Sequence, residues 1–139
     1  MRVLLVAGVL AAAATAADAG CGQKQSGILT LTDWSATMKK DSLLGDYPSI
    51  KVAYRNDNAK EIRMIKATVQ FDDALGDHIG SFLLDKDIRI KPSQTKKGDF
   101  AFSGYTPFER LPKLEKRDAT AYICVESVVY EDGTKEEFK

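Results

Sequence analysis

From Leu29 onward apolar side chains recur at every second position, segment after segment. A chain patterned this way buries its apolar surface as strands, because alternate strand residues face opposite sides. The clearest case sets Ile65, Ala67, Val69 and Phe71 against Met64, Lys66, Thr68 and Gln70. Earlier, Leu29 and Leu31 alternate with Thr30 and Thr32, and the pattern resumes through Trp34, Ala36 and Met38. Ile50, Val52 and Tyr54 follow, and Asn56-Asp57-Asn58 reads as a turn whose side chains bond their own backbone.

Further strands are expected at Ile79 to Leu84, Ile88 to Ile90 and Asp99 to Ser103. Gly104 to Arg117, interrupted by Pro107 and Pro112, reads as a long connection with a single helical turn. Ala119 to Tyr130 is a long strand, Asp132-Gly133 a hairpin signal and Thr134 to Phe138 a closing strand. Short strands with regular turn signals predict an all-β, antiparallel, Ig-like β-sandwich of about seven strands. On the long strand, Ala121, Ile123, Val125 and Val129 share one parity and suit the core. Cys124 shares the other with Tyr122, Glu126 and Tyr130, unless a bulge reverses part of the strand.

The first residues limit where the chain works. Met1-Arg2 is a positive start, Val3 to Ala14 is unbroken and apolar, and Ala17-Asp18-Ala19 has the small residues of a cleavage site. That run is short for a bilayer span and suits a secretory signal. The domain reading is a signal peptide at 1–19, an N-terminal arm and first strand at 20–48, and the rest of one sandwich domain at 49–139. Two processing readings stay open. Cleavage after Ala19 gives a periplasmic or secreted protein. Alternatively, Ala19-Gly20-Cys21 ends a lipobox and Cys21 is lipidated, which anchors the protein in the cell envelope. Asp18 stands where a lipobox has a branched apolar residue.

Cys21 and Cys124 are the two cysteines. In an oxidising compartment an even pair suggests a disulfide, here closing about 100 residues and worth at most about 4.7 kcal/mol in the chain-entropy model. Lipidation of Cys21 and this bridge exclude each other. Signal removal leaves about 120 residues, enough for one domain with its own core. Lys and Arg together number 20, as do Asp and Glu, so no net charge recommends nucleic acid or an anionic membrane. No later apolar run is long enough for a membrane span. Lys39-Lys40 and Lys96-Lys97 read as solvated edges; beside the first strand such charge guards against unwanted strand pairing.

One order of motifs resembles a known group of domains. A strand and an Asn-rich turn precede Ile-x-x-Ile-x-Ala-x-Val-x-Phe-x-Asp from Ile62 to Asp73, then Ala74-Leu75-Gly76. Ile90-Lys91-Pro92 and Val128-Val129-Tyr130-Glu131-Asp132-Gly133-Thr134 follow. Over about Ser49 to Phe138 this resembles the small Ig-like β-sandwich domains of bacterial envelope proteins, the FxLYD type and its relatives. The matching residues are Val69, Phe71, Asp73 and Gly76, with Asp72 where that motif has Tyr. The resemblance implies an extracytoplasmic accessory or binding module and transfers no catalytic residue.

The chemistry that remains is sparse. His78 is the only histidine and reads as an exposed loop residue. No nucleophile elbow, phosphate loop or His-Glu-x-x-His helix is present. Asp72, Asp73 and Asp77, with Asp85 and Asp87, are the residues that would gather around Ca²⁺, though without EF-hand spacing. Turn solvation accounts for them more simply. Trp34, Tyr105 and Phe108 are the candidate partner surface, set against a role in capping the core. The expectation is an exported, non-enzymatic binding or accessory module, without a cofactor, acting on another envelope or secreted protein. The alternative is a module for a small ligand or calcium, and a hydrolase ranks behind both.

Overall fold

A computed structural model describes Cys21, residues 27–104 and residues 106–138. The expected signal and its cleavage site lie outside the described residues. Seven strands form: β1 (Leu29–Lys39), β2 (Tyr47–Asn56), β3 (Ile62–Asp73), β4 (His78–Leu83), β5 (Thr95–Ala101), β6 (Ala119–Tyr130) and β7 (Lys135–Glu137). They make two antiparallel sheets, one ordered β1-β2-β5 and the other β4-β3-β6-β7. Their inner faces meet in one core that includes Ile50, Val52, Tyr54, Ile65, Val69, Phe71, Ile123, Val125 and Tyr130. The chain is thus a β-sandwich, as its alternation predicts.

Bulges set the phase of three strands. In β1 the register shifts between Leu31 and Asp33, so Leu31 and Trp34, three apart, both lean on the core. In β3 the shift at Arg63 puts Ile62 and Ile65 on one face. In β6, Ser127 pairs Lys66 while Val125 pairs Ala67, which leaves Glu126 as the extra residue. Beyond it the parity reverses. Val128 and Tyr130 enter the core, and Val129 pairs the exposed Met64 on the outer face. The expectation of Val129 inside and Tyr130 outside is corrected by that one inserted residue.

Two other segments differ from their expected form. Ile88 to Ile90 is not a strand; Ile90 makes an isolated bridge to Ile62, and its carbonyl also accepts the Nδ2–H of buried Asn56. The fifth strand starts at Thr95 and ends at Ala101, earlier than Asp99 to Ser103. The long connection carries two short 3₁₀ helices, Pro107–Lys113 and Lys116–Asp118, where a single turn was expected. Pro107 opens the first helix because its fixed φ suits a helix start and its missing N–H costs nothing there.

Cys124 lies opposite Thr68, on the face of β6 turned away from the core. It is nevertheless fully buried, because Cys21 crosses it and the two are joined in a disulfide with Cα atoms 5.4 Å apart.

Candidate functional site

The direction of the strands gathers three connections at one end of the sandwich: 40–46 between β1 and β2, 74–77 between β3 and β4, and 102–118 between β5 and β6. The three most exposed large apolar side chains of the described residues all sit there. Leu43 is 93% exposed, Leu44 72% and Leu75 84%.

The same local device builds both short loops. Asp41 Oδ1 accepts the backbone N–H of Leu43 and of Leu44, each at 2.8 Å, and Gly45 N–H donates to the Asp41 carbonyl. Asp73 Oδ1 accepts the N–H of Leu75 at 2.9 Å and of Asp77 at 3.0 Å, and Gly76 N–H donates to the Asp73 carbonyl. Gly45 and Gly76 have φ of 77° and 85°, a region that side chains resist and glycine enters freely. An aspartate that closes the turn on itself and a glycine that reverses it leave the leucines at the tip. The N–H donors of Leu44 and Leu43 lower the Asp41 pKa. Arg110, which meets Asp73 Oδ2 at 2.7 Å, is the main cause of a lowered pKa for Asp73, followed by the Asp77 N–H. Through Arg110, and through the Ala74 N–H bonded to the Asp118 carbonyl, the long connection braces the second loop.

The aromatic candidates take other places. Phe108 is 5% exposed and belongs to the core, so it is no partner surface. It packs 4.3 Å from Phe102 and, edge to face, 6.3 Å from Phe71. Burial wins because the first helix is an apolar lid: Phe108 and Leu111 both turn inward. Trp34 is half-buried and meets Phe71 edge to face at 5.3 Å. The structure therefore brings Trp34 and Phe108 together around Phe71, inside the sandwich. Tyr105 lies outside the described residues.

The acidic candidates do not converge. Asp73 faces inward to Arg110, while both oxygens of Asp72 are engaged on the outer face. Tyr122 Oη donates to Asp72 Oδ2 at 2.8 Å, and His78 Nδ1 sits 3.0 Å from Asp72 Oδ1. Burial, then the bond to Asp72, pushes the Tyr122 pKa up to about 12. The Asp77 side chain points to solvent, and Asp85 caps the Asp87 N–H. Among the described residues no group of three or more His, Cys, Asp or Glu could hold a metal ion. Asp72 fixes the imidazole of His78, and among the described residues no hydroxyl or thiol nucleophile bonds to it. A groove of about 310 Å³ crosses the three-stranded sheet over Asp33, Lys51, Ala53, Lys97 and Asp99, shallow and lined by both charge signs.

The leucine loops escape a reading by periodicity, because an exposed loop leucine breaks no pattern. The signal that finds them is a near-repeat, Asp41-Ser42-Leu43-Leu44-Gly45-Asp46 and Asp73-Ala74-Leu75-Gly76-Asp77. No protein-family model matches the chain, and no curated protein matches it.

Proposed function

We propose that this chain is an exported, non-enzymatic binding module that acts on another envelope or secreted protein through its leucine-tipped end. The observation that carries the reading is the gathering of Leu43, Leu44 and Leu75 on connections at one end of a rigid sandwich. Leucines this exposed contribute nothing to the chain's own core. Each, once covered by a partner, is worth about 1.5–3 kcal/mol. The Cys21–Cys124 bridge and the absence of a long apolar helix among the described residues are compatible with export. The bridge also occupies the sulfur that a lipid anchor on Cys21 would need, which favours cleavage after Ala19. A kinship with the Ig-like domains of bacterial envelope proteins belongs to the same reading.

The test is retention from envelope extract on the immobilised, disulfide-bonded protein, compared with the triple variant Leu43→Ser, Leu44→Ser, Leu75→Ser. The expected result is a protein held by the natural sequence and released by the variant, with affinity reduced more than about a hundred-fold. Equal retention by both forms would overturn the proposal.

A further inference from the structure

In the two loop sequences the leading aspartates and the glycines build the turns, and the side chains of the leucines and of the aspartate that ends each loop take no part in them. Asp41 and Asp73 cap the turns, and Gly45 and Gly76 supply the positive φ. Asp46 and Asp77 follow the glycines, are exposed, and have side chains with neither a hydrogen bond nor an ion pair among the described residues. One loop joins strands of the three-stranded sheet and the other joins strands of the four-stranded sheet. The end of the sandwich therefore carries two separate prongs, each with exposed leucine and a free carboxylate beside it.

Resting on the function proposed above, we infer that both prongs grip one partner protein at once. The partner offers two apolar pockets, each with a lysine or arginine on its rim. The charge of the loops selects this occupant. Across 40–46 and 74–77, Lys40 stands alone against Asp41, Asp46 and Asp77. In the 102–118 connection at the same end, Arg110, Lys116 and Arg117 are paired with Asp73, Asp33 and Glu115, which leaves Lys113 against Glu109 and Asp118. An anionic bilayer attracts basic loops and repels acidic ones. A second copy meeting this end face to face would set like carboxylates against each other. A basic-rimmed protein pocket satisfies both the leucine and the aspartate. Two linked contacts raise affinity beyond either one by about a hundred-fold or more, so removing one prong weakens the other's capture.

The experiment places the photo-cross-linking residue p-benzoylphenylalanine at Ser42 or Ala74, exposed positions beside the leucines, and at Ala59 at the opposite end as a control. The full, disulfide-bonded protein is irradiated in envelope extract. The expected outcome is one protein adduct of the same mass from positions 42 and 74, and none from 59. Leu75→Ser should cut the adduct at 42 at least ten-fold, Leu43→Ser with Leu44→Ser should do the same at 74, and Asp46→Asn with Asp77→Asn should weaken both and remove their sensitivity to salt. Unchanged thermal midpoints show that the variants fold. Different proteins at the two positions, or adducts indifferent to the distant leucines, overturn the two-pronged grip and leave the binding function standing. Adducts only to lipid, only to a second copy, or to nothing overturn both.

Discussion

Asp73 shows how much one carboxylate carries. It closes the Leu75 loop with one oxygen and takes Arg110 from the long connection with the other, while its side chain is almost fully buried. Arg110 first, then the Asp77 N–H, lowers its pKa below the ordinary 3.8. A depressed folded-state value means that the stabilisation is complete above that ordinary value and is lost as pH falls through the lower one. Asp73→Asn keeps an oxygen for the turn and gives up the charge. Its thermal midpoint should lie several degrees below that of the natural protein at neutral pH, and the two curves should converge in acid. Midpoints that stay parallel across that range would deny Asp73 this part. The same pairings bear on calcium. With Asp73 held by Arg110, and Asp72 shared by His78 and Tyr122, neither added Ca²⁺ nor a chelator should move the thermal midpoint.

At the scale of elements, β4 and the first short helix depend on an absent side chain. A Cβ on Gly80 would lie 2.9 Å from a ring carbon of Phe108 and 3.2 Å from Pro107. Gly80→Ala should cost about 1–3 kcal/mol by overpacking. Phe108→Ala should cost about 3–5 kcal/mol by leaving a cavity. In denaturant titrations the double variant Gly80→Ala, Phe108→Leu should recover part of the first loss, and strict additivity would show that the two do not share the space. Elements were legible in the sequence where pairing keeps phase: Ile65 to Phe71 reads correctly because β3 holds its alternation there. Tyr130 was misplaced because Glu126 adds one residue to β6, and a bulge of one residue leaves no mark in composition. Phe108 stands in the sequence between partner surface and core cap, because a proline-bounded connection looks like surface, and tertiary packing decides for the core. Of the candidate site, Asp73, Gly76 and Asp77 are legible as loop chemistry, while Asp41 and Gly45 enter only with the structure. That two loops meet at one end follows only from the strand order.

For the whole molecule, the bridge from Cys21 to Cys124 spans a sequence separation of 103. In the chain-entropy model, cross-links of this span restrict the unfolded chain by up to about 4.7 kcal/mol. The mature protein should show no free thiol without reduction, and Cys21→Ser with Cys124→Ser should unfold at markedly lower denaturant. An equal midpoint for that variant would make the bridge incidental to stability.

The position of that bridge also orders events in time. Cys21 leaves the ribosome, and any export channel, roughly a hundred residues ahead of the sulfur it must meet. Its bond to Cys124 has no partner sulfur until residue 124 has been made and has emerged. The bridge therefore closes late, once at least the first 124 of the 139 residues have been made. In a pulse-chase the oxidised band should never appear with nascent chains that stop before Cys124.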